Sequence, residues 1–198
     1  MTAVAALESG QAPARPSGPH ALTVAAYVAG GALLLASFAM LGAFYNLRNG
    51  SAVWPPKGVN FDEYLSAMLT ATLLLSAGVV AWGSWASTVG NRRQAIASLL
   101  ITAGLGGAFL NLAWYTGTHS GFGPSSHPFG TVVITGLVVG SVAVVIGIGF
   151  LAATLLKAQL RAGDDSDSAV GAAARFWFLV VAAWIVSPVA LYGLMSPR

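Results

Sequence analysis

The chain has 198 residues, 56% of them apolar and only 8% charged, with a formal net charge of +3. A soluble domain runs at about 45–50% apolar and about 25% charged, so this composition excludes a soluble globule, a disordered chain and a coiled coil. The charges are also unevenly placed: no Asp, Glu, Lys or Arg occurs in Ala21–Leu47, Tyr64–Asn91 or Gln94–Leu156, and a membrane-spanning helix needs about 20 apolar residues.

Residues 1–20 read as a disordered tail, because Pro13, Pro16 and Pro19 with Gly10 and Gly18 prevent regular structure. Glu8 sits where a secretory leader carries positive charge, so cleavage is not expected. A first span is expected over 22–46, stopped by Arg48 and followed by a polar stretch with Trp54, Pro55, Pro56 and Lys57. Asp62 and Glu63 precede a second span over 64–87, where they face the positive end of its dipole. Gly90, Asn91, Arg92 and Arg93 form a tight turn into a third span over 94–116. The uncharged Gly117–Pro128 is too rich in Gly, Ser and Pro to stay helical in lipid. A fourth span over 129–156 ends at Lys157 and Arg161, a loop over 162–175 carries Asp164, Asp165 and Asp167, and a fifth span covers 176–195.

The reading is an all-α, polytopic membrane bundle of five transmembrane helices, one domain over 21–198. Lys and Arg set its orientation. Arg15, Arg92, Arg93, Lys157, Arg161 and Arg175 fall on one side, and Arg48, Lys57 and Arg198 on the other. That split puts the N-terminus in the cytoplasm and the C-terminus outside. Trp82, Trp85 and Trp177 are then expected near the inner interface, and Trp54 and Trp114 near the outer one. The basic residues stand singly or in pairs, which speaks against nucleic acid.

No ionisable residue falls within these five spans. Buried charges mark ion paths and proton relays, so an ion-coupled transporter is disfavoured. Cysteine is absent, which excludes disulfides, thiolate metal sites and iron–sulfur clusters. A haem held between helices needs mid-helix histidine, yet His20, His119 and His127 lie in the tail and the third loop. His119 and His127 read as interfacial loop residues rather than a metal pair. No catalytic, cofactor-binding or metal residue is therefore assigned. Small residues offer packing faces instead: Gly136 with Gly140 in the fourth span, and Gly104 with Ala108 in the third. They serve contacts within the chain or with another subunit. Asn111 is expected to hydrogen-bond between helices, and Pro188 to kink the fifth span.

Motif order adds a resemblance. GAFYNLRNGSAVWPPKG (Gly42–Gly58) resembles a helix end and Trp-Pro-Pro loop of subunit III of haem-copper terminal oxidases. GGAFLNLAWY (Gly106–Tyr115) and SSHPFGTVVITGLVVGSVAVVIG (Ser125–Gly147) are similar to later helices of that family. RFWFLVVAAWIVSPVALY (Arg175–Tyr192) keeps its aromatic skeleton at Trp177, Trp184 and Tyr192. The resemblance covers about 24–194 and matches the short five-helix form of the subunit. The family's intramembrane polar places are changed: Leu33 stands for a Glu, Ala113 and Thr116 for a Gln and a Glu. Gly140 and Ala143 stand for two histidines, Phe178 for a His and Val181 for an Asp.

The resemblance implies a non-catalytic subunit of a respiratory oxidase that oxidises cytochrome c or quinol, reduces oxygen to water and pumps protons. Haem and copper would lie in partner subunits, and the partners would be the catalytic subunit I and other oxidase subunits, with membrane lipid filling the gaps. The subunit would support assembly and sustained turnover in an inner or plasma membrane. An accessory subunit of a nitric-oxide reductase, or a stand-alone membrane scaffold or transporter, are the other readings.

Overall fold

The structure, a computed structural model, describes residues 21–51, 62–123, 125–160 and 164–194. These residues form five helices and no strand: α1 Ala21–Asn49, α2 Glu63–Thr88, α3 Arg92–His119, α4 Pro128–Leu160 and α5 Asp164–Leu194. The shortest has 26 residues, about 39 Å at the α-helical rise, which exceeds the hydrocarbon thickness of a bilayer. The tail 1–20 and Trp54, Pro55 and Pro56 lie outside the described residues.

Local chemistry sets the helix starts. Asp62 caps α2 by accepting the Leu65 N–H at 3.1 Å, and Asn91 caps α3 by accepting that of Gln94 at 3.3 Å. Between them, Gly90 takes φ 75°, a left-handed turn that glycine adopts at no steric cost. At α4, His127 holds the capping position. Its Nδ1 accepts the Gly130 N–H at 2.8 Å, and Pro128 fills the first helical position, where its missing N–H costs nothing.

The helices run beyond the expected spans, α1 to Asn49 and α4 to Leu160, so that Lys157 lies inside α4, and two connections change. Residues 164–175, read as a loop, are helical from Asp164 onward. Acidic residues in a first turn favour the helix dipole, and the following AVGAAA run is short-chained enough to be buried, as Ala169, Ala172, Ala173 and Ala174 are. Arg175 therefore lies inside α5, within its apolar window Ala169–Val186, and not in a loop. It is exposed, and its guanidinium Nη1 donates to Thr23 Oγ1 of α1 at 3.5 Å. Likewise α3 continues to His119, so Gly117 belongs to its last turns and the connection to α4 is shorter than expected.

α5 is the hub. It packs against α1, α2 and α4, while α2 pairs with α3 and α3 with α4. The shared core is built from Leu69, Leu73 and Val80 of α2, Leu99 and Phe109 of α3, Val144 and Leu151 of α4, and Trp177 and Val180 of α5.

Candidate functional site

Two tryptophans of α5, one heptad apart, organise the membrane interior. Trp177, expected in the belt at the inner interface, is instead fully buried against the middle of α2; its indole Nε1 donates to Ser76 Oγ at 2.9 Å, and that hydroxyl donates in turn to the Leu73 carbonyl at 2.6 Å. Trp184 repeats the arrangement: Nε1 donates to Thr70 Oγ1 at 3.2 Å, and Thr70 donates to the Ser66 carbonyl at 3.0 Å. A buried indole N–H needs an acceptor. A serine or threonine supplies one while its own proton goes to its helix backbone, so neither relay leaves a polar atom stranded in a dry interior. The Phe109 ring meets Trp184 edge-on, centroids 4.8 Å apart at 87°.

Glycines make room for these rings. A methyl group added at Gly140 would come within 2.6 Å of the Trp184 ring, and one at Gly147 within 2.8 Å of Trp177. One at Gly106 of α3 would come within 2.9 Å of Trp177. Gly136 faces Met40 of α1, whose Cε would be 3.0 Å away. Gly104 and Ala108 point elsewhere: both are exposed, and an added Cβ at Gly104 meets nothing in this chain. Of Tyr192 only the backbone is described, as part of α5.

Several polar residues sit differently from the sequence expectation. Asn111 makes no interhelical bond among the described residues; it is exposed on α3. The positions matched to the family's polar places hold Leu33, packed against the core, buried Ala113 and Val181, and exposed Phe178. Where the resemblance puts a histidine, Gly140 receives Trp184.

At the end of the bundle that carries the α1–α2 and α3–α4 connections, all five helices line a cavity of about 200 Å³. Met40, Phe44, Leu69, Leu137, Trp184 and Pro188 supply apolar walls; exposed Asp62 and His119 join the lining. His119 stacks on Tyr115, ring centroids 4.2 Å apart, with Nδ1 3.1 Å from the Tyr115 carbonyl. His127 lies between Phe122 and Phe129 and serves as the α4 cap, so the two imidazoles engage separate partners. Among the described residues no three His, Cys, Asp or Glu side chains converge.

Sequence reasoning found both tryptophans, Gly136 and Gly140. It missed Ser76, Thr70, Gly106 and Gly147. Ser76 and Thr70 carried one signal, hydroxyls within an otherwise apolar run.

The family model described as cytochrome c oxidase subunit III matches residues 22–195. The chain is similar to cytochrome c oxidase subunit 3 of Scyliorhinus canicula and of Gadus morhua. Each is 30% identical over 167 residues, covering 78% of this chain and 64% of the relative. The protein of that name from Pisaster ochraceus is 28% identical over 163 residues, covering 78% and 63%. The chain thus spans just under two thirds of the length of these curated relatives.

Proposed function

This chain belongs to the cytochrome c oxidase subunit III family, and on that premise we propose that it is a non-catalytic subunit of a respiratory haem-copper oxidase. The complex would oxidise cytochrome c or quinol, reduce oxygen to water and pump protons, with haem and copper in partner subunits. This subunit would support assembly and sustained turnover, with its N-terminus in the cytoplasm and its C-terminus outside, in an inner or plasma membrane.

The observation that carries the reading is what fills the bundle interior. Its inward groups are Leu, Val and Phe side chains together with glycines, indole rings and paired hydroxyls, a set suited to holding helices together. Proton relays and redox centres use ionisable side chains or histidines within the spans, and here the matching places hold Leu33, Gly140, Ala143 and Val181.

Purification of the tagged chain from its own membranes in mild detergent tests this. The expected result is a large co-purifying subunit, a haem absorption spectrum from the complex and none from the separated chain. Complex depleted of this chain should start at normal oxygen-reduction rates and lose activity during turnover. A nitric-oxide-reducing partner, or a monodisperse chain with no partner, would overturn the proposal. Orientation has its own check, because the chain has no native cysteine. Gly58→Cys and Ser125→Cys should label from outside, and Asn91→Cys and Ser166→Cys should not.

A further inference from the structure

The helix starts of this bundle are not capped by the same chemistry. Asp62 and Asn91 cap α2 and α3. An amide does not titrate, and a carboxyl group keeps an acceptor oxygen in either protonation state. α4 has no acidic residue in its first turn. Its Gly130 N–H is accepted by His127 Nδ1 at 2.8 Å, which requires a neutral ring with its proton on Nε2. Imidazole is the side chain that ordinarily titrates between about pH 5 and pH 8. A proton on Nδ1 turns the acceptor into a donor that faces an N–H. It also sets a positive charge at the positive end of the α4 dipole.

The place of this cap gives it reach beyond one hydrogen bond. His127 is half-buried, its ring centroid 5.5 Å from that of Phe122 and 6.2 Å from that of the fully buried Phe129. The backbone is drawn in closely here. A Cβ at Gly130 would lie 2.8 Å from the Gly123 carbonyl oxygen and 3.1 Å from both His127 Cε1 and Phe122 Cδ2. Ser126 Oγ accepts the Gly123 N–H at 2.7 Å and so ties the connection to itself. Ser120 and Phe122 of the α3–α4 connection, with Val132 and Val133 of α4, line the cavity of about 200 Å³. The segment that His127 fastens is therefore part of the cavity wall. The other titratable or charged groups at this end of the bundle are Tyr45 and Arg48 on α1, Asp62, Glu63 and Tyr64 at α2, and Tyr115 and His119 on α3. Among the described residues none of them forms a hydrogen bond, ion pair or ring contact with His127.

We propose that His127 is a pH-sensitive latch on the α3–α4 connection. Neutral, it holds the connection and the first turn of α4 closed along the cavity; protonated, it releases them. The latch is shut above the titration range of imidazole and opens as pH falls through it. On the orientation proposed above, this end faces the side towards which protons would be pumped. The latch itself rests on the geometry of this chain and not on that reading.

Hydrogen–deuterium exchange of the full chain in nanodiscs tests it, read by mass spectrometry and corrected for the intrinsic exchange rate at each pH. Between about pH 8 and about pH 5, protection of the first turn of α4 should fall about fivefold, the size of a typical cap. That of the first turn of α3, capped by Asn91, should stay constant. His127→Asn supplies an acceptor that does not titrate and should keep the high protection at both pH values. His127→Ala should show the low protection at both, and His119→Gln should behave as the parent. The proposal is overturned if protection in the parent does not change with pH, or if the His127→Asn chain still loses it on acidification. It is equally overturned if α3 loosens in step with α4, if His119→Gln removes the pH dependence, or if His127→Ala is as well protected as the parent at the higher pH.

Discussion

α4 and α5 invert the relation between hydropathy and burial found in soluble proteins. The apolar window of α4 has the highest mean hydropathy of the five, 2.5, yet only 22% of it is buried; that of α5 scores 1.9 and is 61% buried. In lipid an apolar side chain gains little by leaving the tails for the protein interior, so interior places go to residues that pack closely or pair. α4 turns Val138, Val142, Val145 and Ile146 outward and Gly136, Gly140 and Gly147 inward. α5 turns Ala172, Ala173, Trp177, Val180 and Trp184 inward. Hydropathy does not separate the two sides, since Leu and Val stand on both; glycines under indole rings mark where helices approach closely in the core.

The strongest challenge to this contrast is Trp177→Ala. It empties the centre of the bundle and strands Ser76, and should cost about 3–5 kcal/mol. Phe178→Ala, one residue along and 40% exposed, should change stability by about 0.5 kcal/mol or less. Thermal unfolding of the purified chain in detergent compares them, and equal losses would mean that α5 is not the organising helix.

A smaller effect is expected where bulk is added to the glycines. Gly140→Leu must displace the Trp184 ring and its bond to Thr70, and overpacking of this kind costs about 1–3 kcal/mol. Gly104→Leu meets open space and should leave the isolated chain within about 0.5 kcal/mol of the parent. If the two substitutions have equal effects on the isolated chain, the inward and outward glycine faces have been misassigned.

These two glycines also show where the sequence stops being informative. The spans were legible because charge-free runs of that length have few other uses, and Asp62 and Glu63 marked the start of α2 by their fit to its dipole. Helix rotation was not legible. Gly104 with Ala108 and Gly136 with Gly140 have the same spacing, but in a helix that is apolar all round the sequence gives no core-facing side. Gly140 lies under a ring and Gly104 does not, and only the tertiary arrangement tells them apart. Asn111 was read as interhelical, but among the described residues it makes no such bond and is exposed on α3. The early start of α5 was hidden for a related reason: Asp164, Asp165 and Asp167 resemble a polar loop and also make a favourable first helical turn. The relays from Trp177 and Trp184 needed register between helices, which no spacing within one helix supplies.

The most delicate measurement uses one chemical change in two settings. Val180→Ala and Val142→Ala delete the same two methyl groups. Val180 is 1% exposed on α5 and Val142 is 53% exposed on α4. In water both would lose transfer free energy in proportion to burial, but in a bilayer the unfolded reference is also apolar. What Val180→Ala loses is contact with its neighbours in a close-packed interior, about 1 kcal/mol once a small cavity is left behind. Val142→Ala exchanges contact with a lipid tail for contact with a lipid tail that moves closer, and should fall within about 0.5 kcal/mol of zero. Unfolding in bicelles, where tails can follow the surface, is the appropriate assay. A loss at Val142 as large as that at Val180 would show that the outward face of α4 is packed against something firmer than lipid. Hydropathy would then have concealed a contact surface on α4.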